Sequence, residues 1–192
     1  NEAYGAQAEY IRDGLDYERW VANVEKIMEH GKVDGFHMMM TINGLCLFSL
    51  AEFLDQIVAW RTRYGKKAPR ISANILRFPS FMSPLVLPAH IRAERAELLS
   101  MWIKANGHAL SSYEVDHLQR VVDYIEVVER PHELAADADK LARDFKAFHR
   151  QYDERRGKSI NVFPVALTDW LATVPDTNTG RVQGLISGDP TA

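Results

Sequence analysis

The sequence is almost free of cysteine, since Cys46 is the only one in 192 residues. One cysteine cannot form a disulfide within the chain, and it cannot complete a cysteine-based zinc or iron–sulfur site there. The lack of a disulfide and of a cysteine-based metal site favours a reducing compartment. We therefore predict a cytoplasmic protein.

The sequence also lacks a surplus of positive charge and a long apolar run. It has 23 Lys and Arg residues against 26 Asp and Glu residues, a net charge of -3, which argues against general binding to nucleic acid or to an anionic membrane. No apolar run reaches the roughly 18 residues that a membrane-spanning helix needs, and the first residues, NEAYGAQAEY, do not resemble a signal peptide. Because the chain begins with Asn rather than Met, we expect a processed or truncated start.

Two common kinds of site have no signal in the sequence. The seven histidines show no spacing with carboxylates that is typical of a zinc site. No glycine-rich phosphate-binding loop follows a predicted strand.

Two apolar segments predict buried β-strands, VDGFHMMMTIN at residues 33–43 and RISANILRF at residues 70–78. Their length and composition suit strands that are covered on both faces. Between them, residues 49–52 (SLAE) match a capping box that begins a helix, and Gly65 is expected to end it. The order strand, helix, strand predicts one parallel crossover unit.

The rest of the chain is predicted to be mostly helical, with apolar residues at helical spacing and Gly or Pro at the expected ends. The predicted helices are one that ends at Gly14, one from Asp16 to Gly31, and four more at about 88–105, 111–129, 131–156 and 167–174. Residues 175–192 are poorly hydrophobic, and we expect a flexible tail.

Only two strands are predicted, and two parallel strands make a poor sheet. Either the sequence contains strands that propensity hides, or the chain is the later part of a larger α/β structure whose first strands lie upstream. We favour the second interpretation.

Several stretches together resemble a known family. They are EAYGAQAEYIRDGLDYERWVANVEKI, the strand that ends in TIN, the helix SLAEFLDQIVAW, and the strand that continues into ILRFPSFMSPLVLP. They are similar to the second half of the partial barrel of radical S-adenosylmethionine (radical SAM) enzymes. The ending DFKAFHRQYDERRG, followed by FP and LTDW, resembles the C-terminal signature of the twitch-domain branch.

The resemblance implies an α/β fold. Residues 1–88 would form later βα units of a partial (β/α) barrel with parallel strands, and residues 89–174 a helical C-terminal region. It also implies two cofactors, S-adenosylmethionine and a 4Fe-4S cluster. The Cys-x3-Cys-x2-Cys motif that binds this cluster in the family is absent, so the resemblance implies a missing N-terminal segment or a partner chain that carries it.

The resemblance places candidate cofactor-binding residues at the carboxyl ends of the strands. Arg12 matches the basic residue that reaches the carboxylate of S-adenosylmethionine, and a guanidinium fits a carboxylate bidentately. Thr41 and Asn43 match polar residues near the ribose and adenine. The alternatives are a solvated Arg12 at the end of a helix and an Asn43 that only turns the chain.

Phe78 and Pro79 end the second predicted strand, where the family packs apolar groups beside the adenine; core packing is the alternative for Phe78. Strand alternation puts His37, Met39 and Thr41 on one face. We expect this face to line the barrel interior, because a cavity that holds a polar ligand accommodates such groups. The alternatives are a hydrogen-bonded core histidine and a methionine cluster that only packs.

The resemblance implies that the chain lines the S-adenosylmethionine pocket and shapes a substrate site for radical hydrogen abstraction from a peptide or a small metabolite. The alternative is a non-catalytic, helix-rich interaction module derived from the same fold. The presence of a segment or a partner chain that carries the three cysteines would distinguish the enzyme from the interaction module.

Overall fold

The computed structural model describes residues 1–32, 35–127 and 137–176, which form a mixed α/β, mostly helical structure. Its helices are α1 (Gly5–Ile11), α2 (Tyr17–His30), α3 (Leu50–Tyr64), α4 (Ala89–Asn106), α5 (Ser112–Ile125), α6 (Ala138–Arg156) and α7 (Val165–Thr173), and its strands are β1 (His37–Ile42) and β2 (Arg70–Ile75). Within the described ranges, β1 and β2 form a two-stranded parallel sheet. The predicted α/β class and the parallel pairing are confirmed.

The crossover between the strands is α3, as predicted, but the serine before it does not cap the helix. Gly65 ends the helix with a positive φ of 57°, a value that favours glycine. Ser49 precedes the helix without capping it, because its Oγ accepts a hydrogen bond from the backbone N–H of Tyr4 at 3.0 Å. The predicted capping box at residues 49–52 is therefore wrong, and Ser49 joins the start of the chain to α3 instead.

The two faces of the sheet have opposite environments. Met38, Met40 and Ile42 point into the hydrophobic core, as the predicted alternation requires. The other face is open, and the side chain of Met39 on it is 62% exposed. Within the described residues, the expectation that both faces are covered is therefore wrong.

The outer edge of β2 is closed by side chains of α5. The backbone N–H of Ile71 donates to Glu114 Oε1 at 2.8 Å, and that of Ala73 donates to His117 Nδ1 at 3.2 Å. These contacts satisfy backbone donors that a further strand would otherwise pair. The sheet therefore has no free edge on this side.

The outer edge of β1 is different. The even-numbered residues of β1 bond to β2, so the backbone groups of His37, Met39 and Thr41 point away from it. Among the described residues, the one hydrogen bond at this edge is a weak one from Cys46 Sγ to the carbonyl of Thr41, at 3.7 Å. The sheet is therefore asymmetric, with one closed edge and one open edge.

Glu114 connects three elements at the closed edge. Its carboxylate is 2% exposed, pairs with the guanidinium of Arg61 on α3, and accepts from Ile71 on β2. It also completes the capping box predicted for α5, accepting the backbone N–H of Ser111 at 2.8 Å. Burial alone raises the pKa of this carboxyl group, but the bonds from Arg61, Ser111 and Ile71 outweigh it and hold the pKa at about 2.

Helix α5 ends at Ile125, whereas the sequence predicted an end near residue 129. The buried guanidinium of Arg92 on α4 donates to the carbonyls of Ile125 and Val127, each at 2.7 Å. The bond to Ile125 takes a carbonyl at which the helix would otherwise continue. A long-range contact therefore sets the end of the helix.

Strand β2 also ends earlier than predicted, at Ile75 rather than at Phe78. Its partner β1 ends at Ile42, whose carbonyl accepts the last bond of the ladder, from Leu76 N at 2.8 Å. Beyond that bond, the described residues offer β2 no strand to pair with. Phe78 therefore lies in the loop after the sheet.

The C-terminal helices agree with the prediction from Ala138 onward, but Asp137 lies in a turn before α6, so the predicted unbroken helix over residues 131–156 is wrong. Gly157 ends α6 in a left-handed conformation, with φ of 60°. The predicted helix start at Pro131 and residues 177–192 of the predicted tail lie outside the described residues. In the described part of the chain, no helix has both the length and the apolar character needed to cross a bilayer.

Glu114→Gln is expected to lower the free energy of unfolding by about 2–4 kcal/mol at neutral pH, because it breaks a buried, charge-assisted pair. The folded-state pKa of Glu114 is below its ordinary value of 4.5, so its contribution is complete above pH 4.5 and is lost as the pH falls towards about 2. Over this pH range, Glu114 alone is expected to lower the free energy of unfolding of wild type by about 3 kcal/mol. The Glu114→Gln variant should lack this pH-dependent decrease.

Urea unfolding at a series of pH values measures both effects. Glu94→Gln on α4 is the matched control, because Glu94 also contacts an arginine but is 54% exposed. Equal destabilisation by the two substitutions would contradict the role of Glu114.

Candidate ligand-binding site

The carboxyl ends of β1 and β2 lie side by side, as they do in every parallel sheet. Ligands of open α/β sheets collect at this end, beyond the last paired residues. Here these are Ile42 and Ile75, followed by Asn43 on one chain segment and by residues 76–79 on the other. We take this end, together with the uncovered face of the sheet, as the candidate site.

We call the uncovered face the open face. It consists of His37, Met39 and Thr41 from β1 and, by register, Arg70, Ser72 and Asn74 from β2, of which Ser72 is buried. His37 Nε2 lies 2.7 Å from Ser72 Oγ, at the amino end of the face. At roughly 3.3 Å per residue, His37 is about 13 Å along the strand from Thr41. The structure therefore separates His37 from the other candidates at the carboxyl end.

Thr41 and Asn74 are neighbours at the carboxyl end of the open face. They are paired in register, with Thr41 half-buried and Asn74 exposed. A hydroxyl and a carboxamide at this position can hydrogen-bond a polar ligand. Sequence reasoning missed Asn74 and Ser72, although the alternating polar residues of RISAN were a signal for them.

Asn43 is buried and acts on its own chain segment. Its Oδ1 accepts the backbone N–H groups of Leu45 and Cys46, at 2.8 Å and 3.0 Å. Asn43 therefore turns the chain after β1, which was the alternative interpretation. Its Nδ2 has no hydrogen-bond partner among the described residues, so this amide hydrogen-bonds the turn through its oxygen alone.

Phe78 projects from the loop after β2, and its side chain is 79% exposed. The alternative that Phe78 packs in the core is wrong. The peptide bond to Pro79 is cis, and the carbonyl of Pro79 accepts Met82 N at 2.9 Å, which begins the turn Ser80–Met82. An aromatic ring is thus available for stacking at the carboxyl end of the sheet.

Arg12 follows α1, and its guanidinium is engaged. Its Nη2 lies 2.6 Å from Glu2 Oε2, and the Arg12 side chain is 46% exposed whereas that of Glu2 is 2% exposed. The guanidinium therefore compensates a buried carboxylate. Its half-exposed position at the end of α1 agrees with the alternative interpretation, and ligand binding by Arg12 stays a prediction.

The residues of this chain do not fit an iron–sulfur cluster. Cys46 is completely buried, and burial raises the pKa of its thiol, so the thiolate that a metal requires is disfavoured. No group of three or more His, Cys, Asp or Glu side chains in the described ranges could hold a metal ion. A cluster would have to be held by residues outside this chain.

The carboxyl end of the open face carries polar and aromatic groups of the kinds that a nucleoside cofactor needs. Thr41 and Asn74 offer a hydroxyl and an amide, and Phe78 offers an exposed ring. These groups suit the ribose hydroxyls and the aromatic adenine of a nucleoside.

Comparison with protein families, with curated proteins and with solved structures finds no match to this chain. Arguments about function therefore depend on the geometry described above.

Arg12→Ala is expected to lower the free energy of unfolding by about 1–3 kcal/mol, because the buried carboxylate of Glu2 would then keep only the Asn1 amino group, 3.9 Å away, as its partner. The double variant Arg12→Ala/Glu2→Gln should recover most of this loss. Urea unfolding measures the difference, with Arg19→Ala, an exposed arginine on α2, as the control. A loss no larger than that of Arg19→Ala would contradict the pairing.

Proposed function

We propose that this chain is the later part of a radical S-adenosylmethionine enzyme. In this proposal, residues 1–88 contribute later βα units of a partial (β/α) barrel, residues 89–174 form a helical region beside the substrate site, and residues 175–192 are a tail. The observation that carries the proposal is the asymmetry of the sheet, whose outer edge is closed at β2 and open at β1.

The open edge supports an additional strand. β1 has the apolar composition HMMMTI, typical of a strand inside a sheet, yet the described residues leave it paired on one side only. A neighbouring parallel strand would pair the backbone groups of His37, Met39 and Thr41. It would also begin to enclose the open face, on which Met39 is exposed.

The strands that complete such a barrel would come from an N-terminal segment or a partner chain that carries Cys-x3-Cys-x2-Cys. A 4Fe-4S cluster on that segment, together with S-adenosylmethionine, would supply the radical hydrogen abstraction. The residues of this chain would bind and orient the nucleoside, with Thr41 and Asn74 as hydrogen-bonding groups and Phe78 as a stacking surface. His37 would line the barrel interior at its amino end.

The proposed setting is the cytoplasm, and the proposed substrate is a peptide or a small metabolite rather than a nucleic acid or a membrane lipid. The near-neutral charge balance of the chain supports this choice.

A second candidate function is a non-catalytic interaction module derived from the same fold. The exposed Met39 and Phe78 and the open edge of β1 also suit strand addition by a protein partner without a cofactor. The coding sequence upstream of Asn1 and the native binding partners decide between the two functions, because only the first requires the three-cysteine motif.

Hydrogen exchange tests the open edge directly. In this chain alone, the amides of His37, Met39 and Thr41 are expected to exchange rapidly, whereas those of Met38 and Met40 are protected by β2. In the assembly with the cysteine-bearing segment, all five should be protected. If the first three stay unprotected in that assembly, no strand is added at β1, and the proposed barrel is wrong.

Phe78→Ala tests the cofactor site in the same assembly after anaerobic reconstitution. It is expected to weaken S-adenosylmethionine binding about fivefold to tenfold, because loss of aromatic stacking costs roughly 1 kcal/mol or more. Isothermal titration calorimetry measures the dissociation constant, and formation of 5'-deoxyadenosine measures the radical reaction.

Tyr113→Ala is the matched control for Phe78→Ala. Tyr113 is an exposed aromatic residue in the first turn of α5, near the amino ends of the strands. Equal effects of the two substitutions on the dissociation constant would contradict the placement of the nucleoside beside Phe78.

A further inference from the structure

His149 on α6 is a buried polar residue that the proposed function does not use. Its side chain is 3% exposed and packs against the rings of Phe145 and Phe148, with centroids 4.4 Å and 5.1 Å away. Its Nδ1 lies 3.2 Å from the hydroxyl of Tyr10 on α1. Its Nε2 is buried and has no hydrogen-bond partner among the described residues. Such orphaned groups are rare in native proteins and require an explanation.

A cavity beside His149 offers that explanation. It has a volume of about 110 Å³ and lies between α1, α6 and the turn after β1. Its polar lining comes from Tyr10, Asn43, His149 and Tyr152, and the rest is apolar. Asn43 uses only its Oδ1 for the turn, so its Nδ2 is also available to an occupant.

The protonation of His149 follows from its surroundings. Burial lowers the pKa of His149 to about 3, so the ring is neutral at physiological pH. Burial and, after it, the neighbouring Asp153 raise the pKa of Tyr10, so its hydroxyl keeps its proton. The Tyr10 hydroxyl and His149 Nδ1 share one hydrogen bond, and its direction sets the tautomer. Nε2 is a donor where the phenol donates to Nδ1, and an acceptor where the phenol accepts from it.

The size and charge of the cavity limit its ligand. An engineered apolar cavity of about 150 Å³ is known to hold a benzene molecule, so a volume of 110 Å³ suits one small ring or a short chain. None of the side chains that line the cavity carries a charge at neutral pH, which disfavours an ionic ligand.

We propose that this cavity binds a small uncharged molecule with an apolar body and one hydroxyl group, which hydrogen-bonds His149 Nε2 in either tautomer of the ring. The carboxamide of Asn43 would donate to an oxygen of the same molecule. This site belongs to the chain itself and does not depend on a cofactor or on the cysteine-bearing segment.

Phenol and benzene are the matched probes, because they share a ring and differ in the hydroxyl group. Titration of the isolated chain, followed by ¹⁵N NMR of the histidine side chains, should show phenol shifting the Nε2 resonance of His149. Phenol is expected to bind roughly fivefold to tenfold more tightly than benzene, as one hydrogen bond contributes.

His149→Phe should abolish the preference for phenol, and His149→Gln, which keeps a donor and an acceptor, should retain part of it. His30→Phe, at an exposed histidine on α2, is the control and should bind as wild type does. The wild-type titration does not depend on how well any variant folds. Equal affinity for phenol and benzene would overturn the proposal. A failure of phenol to shift the His149 resonance at any concentration would also overturn it, and would indicate that water alone occupies the cavity.

Discussion

The buried carboxylate of Glu114 is the interaction on which the arrangement of the sheet depends. It pairs with the guanidinium of Arg61 on the crossover helix α3, accepts a backbone N–H of β2, and accepts the backbone N–H of Ser111 at the start of α5. Because one charged group serves three elements, α5 is held along the edge of β2 where another strand could otherwise add. The sheet can grow only at β1, and this restriction fixes the side on which any further part of an α/β structure must lie.

The parts of the fold that local chemistry determines could be predicted from the sequence. Asp16 at the start of α2, the box at residues 111–114 and Gly157 at the end of α6 each act within one helical turn, and each is found as expected. The box at residues 49–52 has the same pattern, but there Tyr4 takes the serine hydroxyl from a distant part of the chain. Buried Arg92 shortens α5 in the same way, and no local pattern encodes either contact.

The candidate site was predictable only where alternation along a strand applies. The face of β1 that carries Met39 and Thr41 followed from a period of two, and the structure leaves this face open. Asn43 was placed correctly, but its oxygen serves the turn, a role that sequence alone left undecided. His149 could not be identified, because it lies in a polar helix and meets Tyr10 from 139 positions away in the sequence.

The open edge of β1 also has a consequence for the chain before assembly. Proteins protect exposed edge strands with Lys, Pro or a covering element, and HMMMTI contains neither of these residues. Unpaired backbone groups beside exposed methionine are a template on which other chains can add strands and aggregate. If another segment normally occupies this edge, that segment also acts as an internal chaperone, and its arrival during folding protects the chain from precipitation.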